Sequence, residues 1–151
     1  MYDSRLPFGP GMACSIFQTL SYSVVRMMAK RNFHVVSYLD DFLCVEKDEQ
    51  SCFDCHECLN ELLHGLDYVV NEDKTECPNQ IITFLCVSIN CVNRTLSLPA
   101  KKLDETKELI RTWSFWSKCT KKDLQCFIGR LNWCASVVHC GRTFMRELIS
   151  L

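Results

Sequence analysis

Apolar positions recur every three to four residues between Met12 and Lys30, where Ile16, Leu20, Val24, Met27 and Met28 mark one face. This spacing predicts a helix. Lys30 and Arg31 stand at its end, where positive charge suits the carbonyl end of the helix dipole. The next two runs are Phe33-His34-Val35-Val36-Ser37-Tyr38 and Phe42-Leu43-Cys44-Val45. Both are rich in β-branched and aromatic residues and predict a β-hairpin whose tip holds Leu39, Asp40 and Asp41. A second helix is predicted from Glu49 to His64, with Cys52, Cys55, Leu59, Leu62 and Leu63 as its buried stripe and Gly65 as its C-cap.

Beyond it, Tyr68-Val69-Val70 reads as a short strand leading to Asn71-Glu72-Asp73-Lys74. Ile81 to Ile89 and Thr95 to Leu98 read as a second hairpin, turning near Asn90–Arg94. From Pro99 onward the pattern is helical. Leu103, Lys107, Ile110 and Trp113 lie along one helix. Thr120 and Asp123 have the form of a capping box, opening a helix with the stripe Leu124, Phe127, Ile128, Leu131 and Ala135. Gly141 precedes a last helix holding Phe144, Leu148 and Ile149. Ahead of all these, Leu6-Pro7-Phe8-Gly9-Pro10-Gly11 is a loop by composition. The order of elements predicts an α+β fold, with antiparallel hairpins and two packed helices followed by a helical region.

Composition places the chain among globular proteins, with 48% hydrophobic and 23% charged residues over 151 positions. No apolar run approaches the ~20 residues that span a bilayer, and the N-terminus lacks the apolar stretch of a signal peptide. The expectation is an intracellular protein, in cytoplasm or nucleus, without a membrane partner. The net charge of −1 hides an asymmetry. Residues 1–99 carry 7 Lys and Arg against 13 Asp and Glu, while residues 100–151 carry 10 against 5. An acidic part able to hold metal thus precedes a basic part able to meet phosphates, although basic helices with ordinary surface charge give the same numbers. The 12 cysteines are expected to be reduced thiols, with Cys44, Cys86, Cys126 and Cys134 at core-like spacing. Asn93-Arg94-Thr95 matches a glycosylation sequon and also suits a plain turn.

The chemistry concentrates at Asp40-Asp41. Like charges repel at short range, so two carboxylates in a tight turn are costly as a purely structural choice. A divalent metal removes the repulsion, and hard oxygen ligands suit Mg²⁺, which takes one or two carboxylates plus substrate phosphates. A solvated Asp-Asp turn is the alternative. Cys52-Phe53-Asp54-Cys55-His56 fits the pattern of haem attachment, and with Cys58 its three cysteines and one histidine could nominally close a tetrahedral zinc shell. The same spacing is that of a buried helical stripe, and His56 beside Cys55 points to another side of the helix.

Read together and in order, these segments resemble the reverse transcriptases of retrotransposons. Arg5-Leu6-Pro7-Phe8-Gly9, with Ala13 and Phe17, is similar to the loop and helix that meet template and incoming nucleotide. Tyr38-Leu39-Asp40-Asp41 resembles the catalytic hairpin, and Asn71 to Lys74 the motif whose lysine lies near the nucleotide phosphates. Phe84-Leu85 with Ile89 resembles the primer-grip hairpin. Leu96-Ser97-Leu98-Pro99, Ile128-Gly129-Arg130-Leu131-Asn132 and Gly141-Arg142 resemble the thumb. The thumb-like segments are most similar to the tyrosine-recombinase (DIRS-like) type, with the Ty3-like group next.

The resemblance implies a palm over residues 1–98 and a thumb or connection over 99–151. It also implies Mg²⁺ as cofactor, and template-primer (RNA or DNA) and deoxynucleotide triphosphates as partners. Asp40 and Asp41 would be the catalytic metal ligands, and Lys74 would act on the phosphates. Leu6, Pro7, Phe8, Gly9, Phe17 and Tyr38 would line the nucleotide and template path. Phe84, Leu85, Lys101, Lys102 and Arg130 would belong to the primer grip and thumb. Lys74 also reads as a solvated loop lysine, and Tyr38 as a core tyrosine ending a strand.

Pro10 stands where the family has an apolar residue, and Cys14 where it has proline. The family also carries a further catalytic aspartate and the fingers upstream of the Leu-Pro-Phe-Gly loop. The chain is therefore expected to be a fragment that is inactive alone, its two-metal site half built. A nucleic-acid-binding remnant, using the basic helices with Trp113 and Trp116, is the non-catalytic alternative.

Overall fold

The computed structural model of the chain describes residues 11–138 and 140–149. By its internal contacts the chain divides into two compact units, Met1–Asn79 and Gln80–Leu151. The fold is α+β, with two small antiparallel sheets and five α-helices among the described residues.

In the first unit, α1 (Ala13–Ala29) leads into a hairpin of β1 (Val35–Tyr38) and β2 (Asp41–Cys44). Helix α2 (Glu49–Gly65) and a 3-10 turn at Glu72–Lys74 follow. Asp48 caps α2, its carboxylate accepting from the Ser51 N–H at 2.9 Å. That bond holds the Asp48 pKa below its ordinary value. Both helices end in a six-residue turn closed by a left-handed residue. Asn32 (φ 65°) serves α1, with Phe33 N–H donating to Met28 O. Asp67 (φ 58°) serves α2, with Tyr68 N–H donating to Leu63 O. Gly65 is thus the last helical residue of α2 and not the expected cap.

The core of this unit is Val24, Met28, Val35, Cys55, Leu59 and Leu63. Phe33, Phe42, Cys44, Tyr68 and Val70 pack against it. Full burial of side chains such as Val24 and Met28 stabilises by roughly 1.5–3 kcal/mol each. The buried stripe of α1 is Ser21, Val24 and Met28, whereas Ile16, Leu20 and Met27 are exposed. The helical period matches the pattern, but the buried face is rotated from the expected one, because a serine occupies its first position. Residues 68–70 form no ladder with any described strand, although Tyr68 and Val70 are half-buried and Val69 is exposed, the alternation of a strand.

The second unit opens with a three-stranded meander: β3 (Ile81–Phe84), β4 (Val87–Asn90) and β5 (Thr95–Ser97). The expected single strand 81–89 is folded back on itself at Leu85-Cys86, where both φ values are positive, 49° and 62°. Two-residue hairpin turns of this kind favour Asn-Gly, so Leu-Cys gave no turn signal. The sequon asparagine Asn93 lies in the β4–β5 turn, its N–H bonded to Asn90 Oδ1.

Helices α3 (Ala100–Ser114), α4 (Lys121–Cys134) and α5 (Gly141–Ile149) complete the unit. The Thr120–Asp123 capping box at the start of α4 is present with both its bonds. Phe127, Cys134, Ala135 and Met145 are buried. Phe144 is 76% exposed, so Met145 takes the core position expected of it. Among the thiols expected in the core, Cys134 is buried and Cys44 partly so, but Cys86 and Cys126 are exposed. No described helix is long and apolar enough to cross a membrane.

Candidate active site

The register of the first hairpin decides where each candidate side chain points. Val35 pairs with Cys44, Val36 with Leu43, Ser37 with Phe42 and Tyr38 with Asp41. Directly opposed residues share a face. Val35, Ser37, Phe42 and Cys44 therefore form the inner face against the core. Val36, Tyr38, Asp41 and Leu43 form the outer face, with Val36 and Tyr38 more than half exposed. Tyr38 is a surface residue next to a carboxylate and not a core residue ending a strand. Ser37 Oγ is buried without a hydrogen-bond partner among the described residues, a costly arrangement for a hydroxyl.

The turn between the strands is two residues long, Leu39-Asp40. Leu39 has φ 51°, a left-handed backbone that costs a non-glycine residue of the order of 1 kcal/mol. Both backbone polar groups of Leu39 are bonded to α1. Its N–H donates to Gln18 Oε1 at 2.8 Å, and its carbonyl accepts from Ser21 Oγ at 2.5 Å. At the open end, Val45 N–H donates to His34 O and His34 N–H donates to Glu46 Oε1. The hairpin is thus fastened at both ends. Asp40 and Asp41 are exposed at its tip, and their carboxylates make no hydrogen bond or ion pair among the described residues.

Other candidates fall at varied distances from this centre in the chain. Leu6, Pro7, Phe8 and Gly9 lie outside the described residues. Phe17 packs edge-on to Tyr68, ring centroids 6.2 Å apart. Lys74 is exposed at the end of the 3-10 turn, which Asn71 caps by accepting from Asp73 N–H. No described carboxylate is ion-paired with Lys74, so its charge is available to solvent or ligand.

In the second unit Phe84 is half-buried and Leu85 exposed at the β3–β4 turn. Lys101 and Arg130 are exposed, and Lys102 is paired with Glu105 at 2.8 Å. That bond raises the Lys102 pKa and lowers that of Glu105. Phe127, Trp113 and Trp116 stack in a row, with centroid separations of 4.2 and 5.2 Å, and Trp116 is half exposed at its end. Cys52, Cys55 and Cys58 line one side of α2 as expected of a stripe, and Cys55 is fully buried. Among the described residues no group of three or more His, Cys, Asp and Glu is placed to hold a metal ion.

A sequence profile for reverse transcriptase (RNA-dependent DNA polymerase) matches residues 2–89, more than half of the chain and the whole of the hairpin just described. The chain belongs to the reverse transcriptase family. Solved structures agree with the fold. A foamy viral protease-reverse transcriptase designated dRH, in complex with double-stranded DNA, superposes with a TM-score of 0.71 at 19% identity, over 92% of this chain and 22% of that one. A second foamy viral protease-reverse transcriptase, also with double-stranded DNA, gives 0.69 at 20% identity, over 97% of this chain and 29% of that one. This reverse transcriptase chain therefore spans a fifth to three tenths of the solved proteins it matches. No curated protein sequence matches it.

Sequence reasoning missed Gln18 and Ser21. A signal for Ser21 was present: it stands three and seven residues before Val24 and Met28, on the face those two define.

Proposed function

We propose that this chain is the part of a retroelement reverse transcriptase that carries the Asp-Asp hairpin of the palm, over residues 1–98, and the helical thumb or connection, over 99–151. The observation that carries the reading is the two-residue turn, which presents the carboxylates of Asp40 and Asp41 exposed and unbonded on a chain of this family. The reaction is nucleotidyl transfer from a deoxynucleotide triphosphate to a primer paired with an RNA or DNA template. The thumb-like motifs support a retrotransposon of the tyrosine-recombinase (DIRS-like) type, with the Ty3-like group next.

The donors at the turn fit Mg²⁺. They are hard carboxylate oxygens, none committed to another described residue, and Mg²⁺ is usually held by one or two carboxylates plus substrate phosphates. Asp40 would be the principal ligand and Asp41 the second. When bound, a pair of such ions stabilises the attacking and leaving oxygens of an in-line displacement. The chain's own residues hold the two carboxylates forward on a fastened turn. Lys74 would neutralise phosphate charge or protonate the leaving group. Tyr38 and Phe17, with Leu6 to Gly9, would line the nucleotide and template path. Phe84 and Leu85 would form the primer grip, and Lys101, Lys102 and Arg130 the phosphate contacts of the thumb.

The reading assigns Asp40 and Asp41 alone as metal ligands, while a two-metal clamp has two ions to hold. The 151 residues alone are therefore expected to bind a primer-template without extending it. The test is primer extension and duplex binding by the purified chain. The expected result is binding that weakens steeply as salt rises, with no templated product. Templated incorporation abolished by Asp40→Asn overturns the inactivity, and absence of binding at about 50 mM salt overturns the nucleic-acid reading. One observation favours a second, non-catalytic reading. The half-exposed Trp116, stacked on Trp113 and followed in sequence by Lys118, Lys121 and Lys122, suits base stacking next to phosphate contacts. Equal affinity of Asp40→Asn and the natural chain for duplex, with or without divalent metal, favours that reading.

A further inference from the structure

Two polar residues of α1, Gln18 and Ser21, face the hairpin. Ser21 is fully buried, the one polar residue in the core among those described. A buried hydroxyl is costly unless it is bonded. Its Oγ lies 2.5 Å from Leu39 O and 3.2 Å from Phe17 O, so its single proton is directed mainly to Leu39. Gln18, one turn earlier on the same face, accepts from the Leu39 N–H at 2.8 Å. An N–H donor requires the amide oxygen as partner, which fixes the orientation of the Gln18 amide.

Leu39 is also the residue with positive φ in this turn. A leucine there is strained, and such strain persists only where the surroundings over-determine the backbone. Here the two bonds from α1 do so. Residue 39 immediately precedes Asp40, so the rotation of its backbone sets the direction of the Asp40 side chain and, through the strand register, of Asp41.

We propose that Gln18 and Ser21 are positioning residues for Asp40 and Asp41. They clamp the strained Leu39 backbone by its N–H and its carbonyl, and so hold the two carboxylates in one orientation for divalent metal. The clamp itself is seen in the geometry, and its role rests on the metal-site reading of the hairpin given above. Both act through the backbone of residue 39. Removing either bond frees the turn, while glycine at position 39, which has no Cβ, accepts positive φ without a clamp.

The test uses the full chain labelled with nitrogen-15, with two readouts. One is hydrogen exchange of the Leu39 amide. The other is Mn²⁺-induced broadening at Asp40 and Asp41. Gln18→Leu is expected to lower protection of the Leu39 amide at least tenfold and to weaken Mn²⁺ binding severalfold, with the Val24 and Leu59 amides unchanged. Ser21→Ala is expected to weaken Mn²⁺ binding in the same direction. Adding Leu39→Gly to Gln18→Leu is expected to restore Mn²⁺ affinity, which a merely structural role of Gln18 would not allow. Unchanged Leu39 protection in Gln18→Leu overturns the clamp. Lost protection with unchanged Mn²⁺ affinity overturns the positioning role. A natural chain that protects Leu39 yet shows no Mn²⁺ effect at Asp40 and Asp41 overturns the metal-site reading, and the intact amide protection tells that failure from failure of the clamp.

Discussion

Replacing Cys44 by alanine should change how the protein responds to alkaline pH more than it changes the fold. Cys44 lies on the inner face of the hairpin, partly buried. Burial, and then its hydrogen bond with Cys55, push its thiol far above the ordinary value. The unfolded chain has no such environment and ionises near 9.0. Below that pH both states keep the proton and the group has no effect on stability. Above it the unfolded chain releases the proton and the folded one does not. Stability is therefore lost as pH rises, with a limiting slope of about 1.4 kcal/mol per pH unit. At about pH 10 the loss from Cys44 amounts to at most about 1.4 kcal/mol, less whatever its residual exposure removes. Burial raises the Cys55 thiol as well, adding a loss of the same sign. The assay is urea unfolding under reducing conditions, followed by far-UV circular dichroism at about pH 7.5 and about pH 10. Cys44→Ala should be the weaker protein at the lower pH, because it leaves a cavity. Its further loss on going to the higher pH should be smaller than that of the natural chain by roughly 1 kcal/mol. Equal losses in both proteins would refute the reasoning.

Three further outcomes follow from the packing. Met28→Ala empties a fully buried site between α1 and the hairpin and should cost about 2–5 kcal/mol by denaturant unfolding. Thr120→Ala breaks the capping box of α4 and should cost about 1 kcal/mol, with faster amide exchange confined to the first turn of that helix. Gly141→Ala would bring a Cβ within 2.8 Å of the Ala135 backbone. It should therefore destabilise the α4–α5 connection, seen as increased exchange at Phe127 and Met145, despite the usual preference of helices for alanine.

Much of the fold could be read from period alone. The first hairpin, α2 and the Thr120 cap appear where hydrophobic spacing and capping residues put them, because those signals are local. What could not be read has identifiable causes. The Leu85-Cys86 turn carries residues that rarely adopt positive φ, so 81–89 looked like one strand. The buried face of α1 includes a serine, so the apolar pattern alone points the helix toward Ile16 and Leu20, which are exposed. Asp67, rather than Gly65, adopts the left-handed conformation after α2, since an aspartate tolerates it there. At the candidate site, the place of Asp40 and Asp41 at an exposed hairpin tip was legible from the β-rich runs on either side, whereas the dipeptide alone reads equally as a solvated turn. The burial of Ser21 follows from its spacing to Val24 and Met28, but the bonds of Gln18 and Ser21 to Leu39 were not legible, because their partner is a backbone about 20 residues away in sequence and side-chain-to-backbone bonds leave no pattern in the chain.

The most direct test of the whole account is divalent-metal binding at the hairpin tip. Mn²⁺ titrated into the nitrogen-15-labelled chain, in the presence of a primer-template duplex, should broaden the amide signals of residues 38–42 first. Asp40→Asn should abolish that effect while leaving the rest of the spectrum in place. Broadening that is absent from the tip, or that persists unchanged in Asp40→Asn, would contradict the assignment of this hairpin as a reverse transcriptase metal site.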